Sequence, residues 1–139
     1  PSEFYDEIVQ TGKLKERKQF FEEGTQLLRK FPDVNLRTIR KLMFHLEQVV
    51  QQSEVNLMTR DELSSIFSSY LIRKPNSNPD ETFPESDLSS IQYFIEQLMI
   101  NSSFIFKVLF LHFFFLSFLF PSFFKKNNIY IFLVLGSST

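Results

Sequence analysis

Apolar residues recur at every third or fourth position in several separate stretches, and this one period sets what the first hundred residues can become. It is clearest where Leu36, Ile39, Leu42, Met43, Leu46, Val49 and Val50 succeed one another, the spacing of one face of an α-helix. Residues 13–29 carry Phe20, Phe21, Leu27 and Leu28 behind a polar first half, KLKERK, read as a solvated face. Leu63, Ile66, Phe67, Tyr70 and Leu71 read as one face of a further helix, and Leu88, Ile91, Phe94, Ile95, Leu98 and Met99 as the inward face of another. A short first helix is expected with Phe4, Ile8 and Val9 on one side. Helices with a single apolar face need one another, so the expected fold class is all-α.

The breaks between these stretches have a chemistry of their own. Ser2 is placed to cap the first helix and Thr11-Gly12 to end it. Gly24 weakens the second helix by about 1 kcal/mol of propensity. Phe31-Pro32-Asp33 interrupts the chain, and Asp33 or Asn35 can cap the long helix after it. Thr59-Arg60-Asp61-Glu62 is a capping box, in which the Thr59 hydroxyl accepts from the Glu62 amide and the Glu62 carboxylate reaches back to the Thr59 amide. Residues 73–86 hold Pro75, Pro79 and Pro84 and read as a loop. Ser86 is placed to cap the last of these helices.

Much chemistry is excluded by what the chain lacks. It has no cysteine, which removes disulfides, thiolate metal sites and Cys nucleophiles and fits a cytoplasmic location. Its two histidines, His45 and His112, form no ligand pair, and His45 falls off the apolar stripe, as a rim residue does. No metal site and no cofactor is expected. Gly12, Gly24 and Gly136 stand alone, so no phosphate-cradling loop is present. Residues 1–100 carry twelve Lys and Arg against sixteen Asp and Glu, without the basic, aromatic-interleaved stripe of a nucleic-acid binder. Glu22/Glu23 and Asp61/Glu62 are neighbours that point apart on a helix. With no nucleophile–base–orienter set in view, the chain is expected not to be an enzyme. It opens on Pro1 with no signal-peptide pattern and reads as a fragment or a processed chain.

Two motifs narrow the possibilities. FPDVNLRTIRKLMFHLEQVV and, after it, NLMTRDELSSIFSSYLIRKP resemble the GTPase-activating (GAP) domain for Rho-type small GTPases. Phe31-Pro32, Asn35, Leu42, His45-Leu46, Val49, Asn56, Met58-Thr59, Leu63, Phe67 and Leu71 match that family's pattern in order, with Asn35, Asn56, Thr59, Leu63 and Phe67 as its motif residues. Residues 1–8, PSEFYDEI, are similar to the helix start after the family's LPxPL motif, and residues 88–99 to its final helix. The resemblance implies an all-α domain, cut short at its N-terminus, over residues 1–99, which docks on a Rho, Rac or Cdc42-type GTPase in signal transduction. In that family an arginine in a Gly-containing loop stabilises the transferred phosphoryl, an effect of roughly 10³–10⁵ in rate, or about 4–7 kcal/mol. That loop would lie ahead of Pro1, so these residues are expected to lack GAP activity of their own.

Three positions depart from the family pattern, and they are the candidate GTPase-interface residues: Glu62 where the family has Asn, Ser65 where it has a small apolar residue, and Ser68-Ser69 where it has Gly-Pro, of which Ser69 is the interface candidate. Either these replacements mark a binding-only GAP, or Glu62 simply serves the capping box and the serines are exposed. Similar replacement of Gly-Pro occurs in the GAP-like domains of inositol polyphosphate 5-phosphatases, a subfamily that this chain also resembles. A helical scaffold or membrane-tethered adaptor without GTPase affinity is the alternative.

Residues 100–139 form an apolar, Phe-rich tail. Residues 104–124 hold one Lys, Lys107, and no acid, over the length that crosses a bilayer, about 20 residues, with Lys125 and Lys126 behind them on a cytoplasmic flank. This would tether the chain to a membrane. In residues 110–124, however, fourteen of fifteen are Phe, Leu, Ser or Pro and none is Val, Ile, Ala or Gly. All four present have pyrimidine-rich codons, which is the composition of non-native read-through.

Overall fold

The computed structural model describes residues 2–74 and 83–119. The expected period becomes helix throughout. A 3₁₀ turn (Ser2–Phe4) leads into α1 (Tyr5–Gly12), then α2 (Arg17–Arg29), α3 (Asp33–Val50), the single turn α4 (Ser53–Asn56), α5 (Arg60–Leu71), α6 (Glu85–Ile100) and α7 (Ser102–Leu119). Among the described residues there is no strand, so the all-α expectation holds. Pro75 and Pro79 lie outside the described residues.

The chain divides into two compact units, Pro1–Phe106 and Lys107–Thr139. In the first, α6 is the central helix, packed by α1, by α5 and by α3. Its Ile91, Phe94, Ile95, Leu98 and Met99 are buried with Tyr5, Ile8 and Val9 of α1, Phe20, Leu27 and Leu28 of α2, and Met43 and Leu46 of α3. Each such side chain, once fully removed from water, contributes about 1.5–3 kcal/mol. Phe20 sets its edge against Tyr93 at 5.8 Å and lies tilted on Phe94 at 5.8 Å. At the other end of α6, the Tyr5 hydroxyl donates to Asp87 Oδ2 at 3.0 Å.

Helices α1 and α6 cross where Gly12 meets Ser90. A Cβ on Gly12 would stand 2.0 Å from the Ser90 carbonyl oxygen, so only glycine permits this approach. Gly24 differs: a Cβ there would meet nothing nearer than 3.8 Å, and its helix carries the propensity cost without a packing need.

Helix boundaries depart from expectation at four places. Phe4, not Ser2, stands at the N-cap of α1, because residues 2–4 form a 3₁₀ turn ahead of it. The second helix starts at Arg17 and not at Lys13, because the Lys13 and Leu14 amides turn back to the Gln10 and Thr11 carbonyls and close off α1. Pro32 stands at the N-cap of α3 with Asp33 already helical, so neither Asp33 nor Asn35 caps it; Asp33 pairs with Arg37 one turn on. Pro84, not Ser86, stands at the N-cap of α6. In both helices the proline's extended backbone starts the turn, and its missing N–H costs nothing there. The apolar stripe of α3 is only partly covered in this unit: Met43 and Leu46 are buried, whereas Leu36, Ile39, Leu42, Val49 and Val50 are half-buried. His45 is exposed, as a rim residue should be.

In the second unit, Phe110, Leu111 and Phe115 of α7 are exposed. Among the described residues no single helix is long and apolar enough to cross a membrane. Residues 120–124, Lys125 and Lys126 of the expected tether lie outside the described residues.

Candidate functional site

The site is built from the junction of α4 and α5. Asn56 ends α4 and ties the junction at both sides: its Nδ2 donates to the Val49 carbonyl at 2.9 Å, and its Oδ1 accepts from the Met58 amide at 2.8 Å. Between these anchors Leu57 is forced to φ 58°, the left-handed region. That conformation costs a non-glycine residue roughly 1–2 kcal/mol. It leaves Leu57 75 % exposed beside Val55, which is exposed as well.

Thr59 then opens α5 through the capping box that the TRDE spacing predicts. The Glu62 amide donates to Thr59 Oγ1 at 3.3 Å, and Glu62 Oε2 accepts from the Thr59 amide at 2.7 Å and from its hydroxyl at 2.9 Å. These donors hold the Glu62 carboxyl below the ordinary glutamate range, the backbone amide most strongly. Since the folded value lies below the unfolded one, the contribution of this carboxylate to folding is complete above the ordinary glutamate range. It is lost as pH falls through the lowered value.

The same turn is fastened to two other helices. Arg60 grips Glu47 of α3 with two prongs, 2.8 and 3.4 Å. Asp61 Oδ1 accepts from Gln92 Nε2 of α6 at 3.0 Å. The first turn of α5 is thereby fixed against α3 and α6 by polar contacts at its rim.

Beyond that turn, α5 faces differently from the expected stripe. Leu63 is buried and Phe67 half-buried, but Ile66 and Tyr70 point outward, and the inward positions between α5 and α6 belong to Ser64 and Ser68, both fully buried. The reason is volume. Two small residues one turn apart let α5 sit close on α6, and their hydroxyls are satisfied within the helix, Ser64 to the Asp61 carbonyl at 2.9 Å and Ser68 to the Ser65 carbonyl at 2.7 Å. The outer face therefore carries Glu62, Ser65, Ile66, Ser69 and Tyr70 together, a set that helical spacing places on one side. Of the three candidate interface residues, Glu62 and Ser65 are exposed and Ser69 is half-buried, its hydroxyl donating to the Ile66 carbonyl at 3.0 Å. Val55, Leu57, Ile66 and Tyr70 are not marked as exposed by the sequence pattern; the serine pair at four-residue spacing is the signal that α5 is turned.

The motif residues fall into distinct roles. Asn56 and Thr59 shape the junction, while Leu63 and Phe67 hold α5 in place. Asn35 stands apart, half-buried in the first turn of α3. It lines an apolar cleft of about 200 Å³ with Leu28, Phe31, Ile39, Leu71 and Leu98. Among the described residues no three His, Cys, Asp or Glu side chains converge as metal ligands would.

Comparison with known proteins gives the arrangement a family. Residues 1–76 match the family model for the RhoGAP domain. Rho GTPase-activating protein 35 of Rattus norvegicus is 33 % identical over 92 residues, covering 66 % of this chain and 6 % of that protein. N-chimaerin of Mus musculus is 29 % identical over 105 residues, covering 73 % of this chain and 22 % of that one. Among solved structures, the BH domain from GRAF, the GTPase regulator associated with focal adhesion kinase, superposes with a TM-score of 0.66 at 26 % identity, over 76 % of this chain and 54 % of the GRAF chain. The chain thus spans less than a quarter of the length of either curated relative and about half of the GRAF chain. The expectation that the chain is not an enzyme is corrected by these matches: a missing nucleophile–base–orienter set is no measure of function in a family whose members are named as GTPase activators. With its family pattern at residues 31–71 and its helices in the arrangement of the GRAF domain, the chain belongs to the RhoGAP domain family.

Proposed function

We propose that the chain regulates a Rho-type small GTPase in signal transduction, and that it docks the GTPase through the outer face of α5 and the α4–α5 junction. Family membership supports the partner class. The observation that carries the face is the exposed apolar set Val55, Leu57, Ile66 and Tyr70 beside Glu62, Ser65 and Ser69. Ile66 and Tyr70 lie one turn apart on the same side of α5, and large side chains of this kind dominate binding energy at interfaces. Residues 1–99 supply the GAP-type portion, and the apolar tail after them is either a membrane tether or non-native read-through.

The arginines bear on how the module works. Arg60 is engaged by Glu47, Arg37 by Asp33, and Arg40 lies over the Phe44 ring at 5.7 Å. Arg17 and Arg29 are helical, and Arg73 comes after α5 in a segment without glycine. None resembles an arginine presented in a Gly-containing loop, which supports binding, rather than transition-state stabilisation, as the contribution of these 139 residues.

A pull-down of GTP-loaded and GDP-loaded Rho, Rac and Cdc42 by the purified chain tests the proposal. Capture of a GTP-loaded form is expected, and replacing Ile66 and Tyr70 by serine should weaken it at least tenfold, as loss of about 1.4 kcal/mol would. If no GTPase is retained, the helical-scaffold alternative stands instead; if both variants bind like the original chain, the docking face is wrong. Single-turnover hydrolysis on the captured GTPase should run at its intrinsic rate, and acceleration would overturn the binding-only part.

A further inference from the structure

The corner between α1 and α2 carries a charge that the rest of its unit does not share. Residues 13–18, KLKERK, hold four cations and one acid, Glu16. Lys13, Lys15, Arg17 and Lys18 are all exposed. Elsewhere residues 1–106 hold eight Lys and Arg against fifteen Asp and Glu, so this stretch is strongly positive within a sequence that is otherwise net negative.

Three contacts set residues 15–21 against the second half of α6 and the start of α7. Lys15 Nζ lies 4.1 Å from the centroid of the Tyr93 ring. Arg17 Nη2 donates to Asn101 Oδ1 at 3.4 Å. One turn further along α2, Phe21 meets Phe104 at 4.8 Å between ring centroids. None of these partners is acidic, so the positive charge is not neutralised across the contact. Beside it, Phe104 is 60 % exposed and Ile100 46 % exposed. Large apolar groups project at the edge of a cationic rim.

We propose that this corner, Lys13, Lys15, Arg17 and Lys18 with Ile100 and Phe104, is a peripheral docking surface for an anionic lipid bilayer. The chemistry is complementary on both counts. Cations at the rim meet anionic headgroups, while an aromatic ring and an aliphatic side chain enter the boundary between headgroup and acyl chain. The stems of lysine and arginine suit this position, since they lie along apolar surface with their charge still in water. Each cation near such a surface strengthens partitioning about fivefold. The surface is separate from the outer face of α5 and does not rest on the proposed GTPase docking.

Flotation of the full chain with vesicles tests it, because flotation separates lipid-bound protein from aggregate. Vesicles of phosphatidylcholine alone and vesicles also containing phosphatidylserine are compared, at low and high salt. The chain should bind the anionic vesicles more tightly, with the excess lost in salt. Replacing Lys13, Lys15 and Lys18 by glutamine should remove roughly a hundredfold of that excess and leave binding to neutral vesicles unchanged. Lys13→Gln with Lys18→Gln, which keeps the Lys15–Tyr93 contact, should remove about thirtyfold. Phe104→Ser should weaken binding to both kinds of vesicle. Helical circular dichroism checks that each variant is folded. Equal binding to the two vesicle types, unchanged binding of the glutamine variants, or retention by an acidic polypeptide without retention by vesicles would overturn the proposal.

Discussion

Helix α5 has two faces that obey opposite rules. Its inner face buries Ser64 and Ser68 completely, while its outer face leaves Ile66 and Tyr70 in water. Leu63 is buried beside the two serines, so hydrophobicity alone does not explain why Ser64 and Ser68 lie inside and Ile66 and Tyr70 outside. Closeness of approach decides the matter: α5 packs on α6, and two small residues one turn apart let the helices lie near each other. The crossing of α1 with α6 obeys the same rule in a stricter form, with Gly12 against the Ser90 backbone. Tight seams hold this unit together, and the side chains best able to bind something else are left outside.

The contrast is open to attack from both sides. Gly12→Ala should be the most damaging change, because the new methyl would sit 2.0 Å from a carbonyl oxygen that belongs to a helix backbone. A loss of about 3 kcal/mol or more is expected in urea unfolding. Gly24→Ala serves as its control and should instead gain up to about 1 kcal/mol, since its methyl would find room. If both changes act alike, close approach is not what Gly12 provides. Ser68→Leu should come next, with a loss of about 2 kcal/mol as α5 is pushed off α6, and a neutral result would mean that the seam has slack. Ile66→Ser and Tyr70→Ser should move stability by no more than about 0.5 kcal/mol, read from the same unfolding curves. A larger loss would place those side chains in the core and remove the basis for a docking face.

Much of this architecture is legible in the residues themselves. The three-to-four period locates the helices, the TRDE spacing locates a working cap, and Phe31-Pro32-Asp33 locates a break. These signals are local, carried by neighbours along the chain. The rotation of α5 is not local: Leu63, Ile66, Phe67, Tyr70 and Leu71 make an acceptable stripe in isolation, and only packing against the rest of the unit turns it so that Ser64 and Ser68 are buried with Leu63 while Ile66 and Tyr70 are exposed. The start of α2 escapes for a related reason, since KLKERK is a good helix-forming segment displaced by amides already committed to the end of α1. The conformation of Leu57 could not be read at all, because leucine carries no sign of a left-handed backbone. It arises from the grip of Asn56 on both flanks. In the candidate site, Glu62 is legible as a capping residue, whereas the apolar groups around it are recognised only once α5 is turned.

The fastening of Leu57 has a consequence for encounter. A leucine on an ordinary loop samples many backbone states, and a partner that covers it must freeze them, at about 1–2 kcal/mol per residue. Here Asn56 has already done the freezing, through its bonds to Val49 and Met58. A partner arriving at this junction meets a side chain held at a set position, and its binding energy is not drawn down by ordering the loop. The conformational cost is met during folding, where the whole helical unit bears it, instead of at the moment of contact.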